Sequence, residues 1–314
     1  MFDIEKFVDE TILNLRNEIR GKAIIAVSGG VDSTVSAFLA WKAIGKNLLP
    51  IFIDTGLMRK NESEQVKEMF SKMGMEIKIV DKKDDFLKNL KGIVDPEMKR
   101  KIVGERFIRA FEDESKKFGA EYLIQGTIAP DWIESGGGIR ERIKTHHNVG
   151  GIPENVSLKI VEPLRDLYKD EVREVARYLG IPVSERQPFP GPGLSIRIIG
   201  EVTEERLELL REVTYIVENE IESAVARKEI SMPWQYFAVL LPEKTTGVHG
   251  DKRVYGNLVA LRVIDSIDGM SGNYTHLPHS LLERISIRIT NELPKINRVV
   301  YDITNKPPAT IEWE

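Results

Sequence analysis

Residues 22–45 read KAIIAVSGGVDSTVSAFLAWKAIG: five apolar residues, a pair of glycines, then apolar side chains at helical spacing. A buried strand that turns on glycine straight into a helix is the first half of a βαβ unit, and few other architectures accept it. Four further apolar runs, at 48–53, 75–80, 121–125 and 157–162, have the length of buried strands. Helical patterns lie between them, among them Val103, Phe107, Ala110 and Phe111 after Asp95-Pro96. Strands alternating with helices predict an α/β fold with a doubly wound parallel sheet. Its ligand belongs at the carboxyl ends of the strands, where residues 28–34 fall.

The helix YKDEVREVARYLGIP closes that pattern, and ERQPFPGPGLS then packs three prolines and two glycines into a short span. Proline and glycine at that density punctuate a chain, so the boundary is placed between a domain at 1–187 and a second at 188–314. A chain of 314 residues is long enough for two cores. Beyond the boundary, LSIRIIGEV reads as a strand, 204–228 as a helix, WQYFAVLL and NLVALRVID as strands, 278–292 as a helix and NRVVYDI as a last strand. This predicts a small α+β domain with an open sheet, and such a sheet needs cover, which predicts a homodimer through this domain.

A net charge of −4 supplies no global basic field, so no nucleic-acid partner is expected. No apolar run is long enough for a membrane span, and the start of the chain is an amphipathic helix carrying both charge signs rather than a signal peptide. A cytoplasmic protein without a membrane partner is predicted. Cysteine is absent from the sequence, which excludes disulfides, thiolate metal sites and cysteine nucleophiles.

Within Ser28-Gly29-Gly30-Val31-Asp32-Ser33-Thr34, the glycines let backbone approach an anion, and Ser33 and Thr34 add hydroxyls at a helix N-terminus. Such a loop cradles phosphate. An acidic residue inside an anion nest makes sense beside a cation, so Asp32 is read as a magnesium ligand. The lysine of a Walker loop, which reaches the β and γ phosphates, is missing. Holding pyrophosphate as a leaving group suits this loop better than transfer of the γ phosphate.

SGGVDS resembles the signature of the ATP pyrophosphatases, which split ATP between the α and β phosphates to adenylate an oxygen. FIDTGLMRKNE, QGTIAPDWIES, IKTHHNVGG, VEPLRDLYKDEVR, PFPGPGLSIRIIGEV and KPPATIEWE are similar, in order and spacing, to the synthetase part of the GMP synthetase family, over essentially the whole chain. The resemblance implies an adenine-nucleotide alpha-hydrolase-like ATP pyrophosphatase domain. It also implies a ligase reaction in which ATP adenylates the C2 oxygen of XMP, pyrophosphate leaves, and ammonia displaces AMP to give GMP.

Other candidates follow around that frame. Ile53 and Leu57 are placed to line an adenine site, and Asp54 either orients the ribose or the metal or simply forms a turn. By resemblance Gly126, beside Gln125 and Thr127, lies near the nucleotide. Asp131 is either a second acidic metal contact or a solvated cap. Five glycines, Arg140, Arg142, Lys144 and the pair His146-His147 give 133–151 the composition of a lid. By resemblance Lys144 contacts ATP or the transition state, while the histidines have no third ligand at metal spacing. The resemblance also places Arg253 and Lys306 on the XMP phosphate or base, Glu312 on the purine edge, and Gly191 and Gly193 at the floor of that site. Gln187 stands where bacterial relatives can carry histidine, and its role is open.

Many members of the family carry an N-terminal glutamine amidotransferase domain. Here the synthetase pattern begins at once, there is no cysteine, and Phe2 follows the initiator methionine, so neither common glutaminase nucleophile is present. Ammonia is therefore expected from a separate glutamine amidotransferase subunit. An NAD synthetase shares the nucleotide loop, but its resemblance would not extend to PFPGPGL or the tail. A tRNA-thiolating relative would want cysteines and a basic face. A nucleotide-sensing module without catalysis carries the same loop, and pyrophosphate release that requires XMP separates it from an enzyme.

Overall fold

The computed structural model describes residues 2–129, 158–182, 187–266 and 269–314. The chain forms two compact units, and neither is one continuous stretch. The first takes residues 1–54, 61–82 and 105–186, and the second takes 55–60, 83–104 and 187–314.

The first unit is built on a five-stranded parallel sheet: β1 (Ala23–Ala26), β2 (Leu48–Asp54), β3 (Lys78–Asp81), β4 (Tyr122–Ile124) and β5 (Lys159–Val161). Its strand order is β3-β2-β1-β4-β5. The chain therefore steps outward from β1 to β3, then returns to the other side of β1 for β4 and β5. The reversal falls between β1 and β4, and the crevice at the carboxyl ends of those strands is where a doubly wound sheet takes its ligand. Ala23, Ile24, Ile25, Ile51 and Phe52 have almost no exposed surface, as strands covered by helices on a parallel sheet require.

Helices α1 (Ile4–Glu18), α2 (Val31–Ile44), α3 (Glu62–Lys72), α4 (Lys83–Leu90), α5 (Pro96–Phe118) and α6 (Lys169–Tyr178) complete the first half of the chain. Asp3 caps α1 by accepting the Lys6 backbone N–H at 3.1 Å, and the helix buries Val8 and Leu15 against α2. The Glu171 side chain accepts the Tyr168 N–H at 2.8 Å at the start of α6, which also packs on α2. These two supports fix α2, the helix that grows out of the glycine loop.

In the second unit, β6 (Gln235–His249) and β7 (Lys252–Asp265) form a long antiparallel hairpin. The two-residue β8 (Asn273–Tyr274) adds to β7 antiparallel, and β9 (Ile296–Tyr301) adds to it in parallel. Helix α7 (Glu204–Ala226) packs on β6 through a buried stripe that includes Leu210, Val213, Val217 and Ile221, and α8 (His279–Glu292) packs on α7 through Leu281, Ile285 and Ile289. The expected parallel sheet with a small α+β unit is the fold found.

One predicted element differs. LSIRIIGEV is not a strand: residues Gly193–Arg197 form a 3-10 turn, and only Ile198 bridges to Leu240. Gly193 has φ +63°, a conformation that favours glycine, and its N–H bonds to Pro190 O at 2.9 Å. It also lies so close to the Leu57 carbonyl that a side chain has no room. The prolines and this contact win over the β-branched pattern. Among the described residues, no helix is long and apolar enough to cross a membrane.

Candidate functional site

At the switch point of the first unit, β1 ends and Val27 donates to Ile51 O at 2.8 Å, so the loop leaves from a fixed strand end. Gly29 adopts φ +82°, which lets the chain turn sharply. The loop then ties itself together. The Gly30 N–H donates to Ser28 Oγ at 3.3 Å, the Ser28 N–H donates to Ser33 Oγ at 3.3 Å, and the Ser33 and Thr34 hydroxyls donate to Gly30 O at 3.1 and 2.8 Å. Thr34 is buried, so its hydroxyl braces the loop from inside. Among the described residues, no side chain caps the N-terminus of α2. Its first backbone N–H groups and the positive end of the helix dipole are left for an anion.

Gly126, just past the end of β4, closes on the same place. A Cβ there would lie 2.9 Å from the Ser33 nitrogen and 3.0 Å from the Asp32 carbonyl carbon, both backbone atoms. Only glycine lets β4 and the start of α2 approach this closely.

Asp32 sits in the first turn of α2. Its Oδ2 pairs with Lys169 Nζ at 2.5 Å, while its Oδ1 is buried and has no hydrogen-bond partner among the described residues. An acceptor left without a donor in this way costs about 1–3 kcal/mol unless a ligand completes it. That orphan oxygen fits a hard cation. Among the described residues no three His, Asp or Glu side chains converge on one point.

Lys169 is a member of this site that the sequence does not single out. It comes to Asp32 from 137 residues away, at the first position of α6. Its string, VEPLRDLYKDEVR, belongs to the family resemblance, but no local spacing connects it to residue 32. Gln125, at the end of β4, and Glu162, at the end of β5, also carry buried side-chain oxygens without partners among the described residues. Ile53 is buried near the end of β2, and the backbone of Asp54 accepts from the Lys82 N–H at 2.9 Å. Asp131, Lys144, His146 and His147 lie outside the described residues.

The remaining candidates belong to the second unit. Leu57 is fully buried, its carbonyl accepting the Leu194 N–H at 2.7 Å directly beside Gly193. Gly191 is exposed two residues earlier. Arg253 is exposed near the turn of the β6–β7 hairpin, opposite Val248. The tail from Lys306 to Glu314 is tied down along its length. Lys306 exchanges both backbone hydrogen bonds with Gly272, at 3.0 and 2.8 Å, and its Nζ donates to Gly269 O at 2.7 Å. Ile311 enters a core cluster with Phe237, Val239 and Ala260. Glu312 is held by Arg197 and Gln235, and Trp313 donates to Asp302 Oδ2 at 3.0 Å. Glu314 pairs with the fully buried Lys99, and its backbone oxygen accepts from Arg100. Burial holds the Lys99 amine below its ordinary pKa, against the opposing pull of Glu314. The fully buried Arg262 donates to the carbonyls of Thr304, Thr310 and Ile311.

Gln187 also acquires a place. Its Oε1 accepts the Tyr236 N–H at 2.7 Å at the start of β6, and its Nε2 donates to Glu218 at 3.0 Å. The side chain thus joins the proline-rich stretch to the sheet and to α7.

Comparison with known proteins agrees with both halves of this picture. A family model described as NAD synthase matches residues 2–107, and one described as GMP synthase C terminal domain matches residues 219–313. A subunit of the glutamine-hydrolyzing GMP synthase of Thermoplasma volcanium is 61% identical over 301 residues, covering 96% of each chain. The subunits of the same name from Thermoplasma acidophilum and Pyrococcus abyssi are 58% and 55% identical, covering 98% and 99% of each chain. The NAD synthase match stops well short of the proline-rich stretch and the tail, whereas these relatives run through both. The chain belongs to the family formed by these subunits of glutamine-hydrolyzing GMP synthase.

Proposed function

We propose that the chain aminates XMP to GMP at the expense of ATP, through an adenylyl-XMP intermediate, with release of pyrophosphate and AMP. The observation that carries this reading is the uncapped N-terminus of α2 with the orphaned Asp32 oxygen beside it, in a chain that matches a GMP synthase subunit over almost its whole length. A carbonyl oxygen on the purine is a poor leaving group. Transfer of the AMP moiety to the C2 oxygen turns it into a phosphate ester, which a neutral amine can displace.

In this reading, residues 1–187 carry the ATP chemistry and residues 188–314 bind XMP and form the homodimer. The amides of Gly29 and of Val31 to Ser33 hold the β and γ phosphates as they depart, and Ser28, Gly30 and Thr34 keep that cradle in shape. Lys169 supplies the cation that the missing Walker lysine would have provided. Asp32, joined by Asp131, would hold magnesium, which when bound supplies charge neutralisation for the departing pyrophosphate. Ile53 and Leu57 shape the adenine side, and Lys144 brings a further cation to the triphosphate. Lys306 and Arg253 hold the XMP phosphate or base, Glu312 accepts from the purine edge, and Gly191 and Gly193 form the floor.

Ammonia comes from a separate glutamine amidotransferase subunit, a reading supported by the name the relatives carry and by the absence of cysteine in this sequence. The protein works in the cytoplasm, where its soluble substrates are. The exposed Val248 and Tyr255 on the β6–β7 hairpin support dimerisation through the C-terminal domain, and light scattering that reports a monomer at micromolar concentration would contradict it.

With magnesium, ATP, XMP and ammonium, the purified chain is expected to form AMP, pyrophosphate and GMP. Glutamine in place of ammonium is expected to give no GMP until a glutaminase is added. Formation of ADP and orthophosphate would overturn the proposal.

A further inference from the structure

Arg197 is a fully buried cation that the sequence hides within an apparent strand. It ends the 3-10 turn at Gly193–Arg197. Its Nε donates to Glu312 Oε2 at 3.0 Å and its Nη2 to Glu312 Oε1 at 2.7 Å, the two-pronged grip in which a planar guanidinium fixes a carboxylate in both position and plane. Gln235 adds a third bond, from Nε2 to Oε1 at 3.1 Å, and the same Nε2 donates to Pro188 O at 3.1 Å. The guanidinium is itself immobilised: it lies 4.0 Å over the Phe237 ring and 5.2 Å over the Phe189 ring. Phe189 is covered in turn by Arg59 at 4.2 Å, and Arg59 is anchored to Glu218 at 2.7 Å.

Arg197 is completely buried while the side chain of Glu312 keeps 17% of its surface. Oε1 already accepts two bonds and Oε2 one, so the acceptor capacity left to this carboxylate lies on Oε2. A buried ion pair is weak evidence of a purely stabilising role, because apolar residues of similar volume often stabilise such a site as well or better.

We infer that Arg197 is a positioning residue for substrate recognition: with Gln235, it clamps Glu312 so that a single oxygen, Oε2, is presented to one N–H of the purine. This rests on the proposed role of Glu312 at the purine edge. The effect assigned to Arg197 runs through Glu312, while its Nη1 is buried without a hydrogen-bond partner among the described residues. The site then discriminates by chemistry, because a fixed acceptor rewards a purine that offers N–H and penalises one that offers a lone pair.

The test is a double-mutant cycle of Arg197→Lys and Glu312→Gln, read as KM for XMP and KM for ATP in the ammonium-dependent reaction. Lysine keeps the charge but loses the two-pronged grip. Arg197→Lys is expected to raise KM for XMP by about tenfold, as for a charge-assisted hydrogen bond held out of line, with KM for ATP within about twofold of wild type. In the Glu312→Gln background the same substitution is expected to add little, because the group it positions is gone. Full, independent effects of the two substitutions, or equal rises in both KM values, would overturn the inference. If Glu312→Gln alone leaves XMP kinetics unchanged, the reading of Glu312 fails instead. Gln235→Leu serves as the second variant should Arg197→Lys not fold. It removes one bond to Oε1 and is expected to raise KM for XMP by about threefold with unchanged KM for ATP, and an unchanged KM for XMP there would also overturn the inference.

Discussion

The loop at 28–34 and the tail at 306–314 are the two short segments on which the proposed chemistry rests, and they are built in opposite ways. The loop is held by its own neighbours: Ser28, Gly30, Ser33 and Thr34 bond to one another over at most five residues. It ends in an uncapped helix and an orphaned carboxylate oxygen. The tail is held from far away, by Lys99, Arg197 and Arg262, whose side chains are fully buried. A phosphate cradle needs free amides, so its framework has to be local and leave one side open. A recognition arm has to hold its groups in line, so its framework comes from the core.

Removal of the tail is expected to have the largest effect. Deleting 306–314 takes both carboxylate bonds from Arg197, the carboxylate partner from Lys99 and two carbonyls from Arg262. A buried cation stripped of its partner costs about 3–5 kcal/mol, and a domain has only about 5–15 kcal/mol in all. Calorimetry of the truncated chain is expected to show loss of the unfolding transition of the second unit. A melting profile like that of the full chain would show that the ties are ornamental.

At the loop, the expected loss is of turnover without loss of fold. Asp32→Ala removes the carboxylate beside the helix N-terminus and is expected to lower kcat at least ~100-fold, as for loss of one stabilising group at a developing charge. Thermal stability is expected to stay close to wild type, since Asp32 bonds only to the partly exposed Lys169 among the described residues. Turnover near wild type would make Asp32 a turn residue.

The legibility of the two segments in the sequence follows the same division. The bonds among Ser28, Gly30, Ser33 and Thr34 span at most five residues, so SGGVDST by itself reveals a βα turn suited to an anion. Lys169 is not legible there, because only the folded sheet brings α6 to Asp32. Composition alone would dismiss the tail as frayed, since nothing in KPPATIEWE reveals that Lys99 and Arg262 wait for it 215 and 48 residues upstream of their partners. The false strand at LSIRIIGEV fails for a related reason: its alternation is real, but the contact of Gly193 with Leu57 is long-range.

A weaker effect is expected at Glu114, an acid that belongs to neither segment. Burial pushes the Glu114 carboxyl up, but hydrogen bonds from Lys117 and Lys78 outweigh it and hold the group below the ordinary 4.5. A carboxyl lowered in the folded state stabilises the protein above its unfolded pKa, and that contribution is lost as pH falls through the folded value. Glu114→Gln is therefore expected to cost about 1 kcal/mol or less at pH 7 and less at pH 3, read from urea unfolding at the two pH values. An equal cost at both would assign the loss to packing rather than charge.

In the proposed reaction the loop serves cleavage of ATP between the α and β phosphates with transfer of AMP to the purine oxygen. The most direct measurement uses XMP labelled with oxygen-18 at C2, together with ATP and ammonium, and follows the label by mass spectrometry. If the oxygen is adenylated and then displaced by ammonia, the label appears in AMP as GMP accumulates. Label recovered in water or in orthophosphate, with none in AMP, would contradict the account.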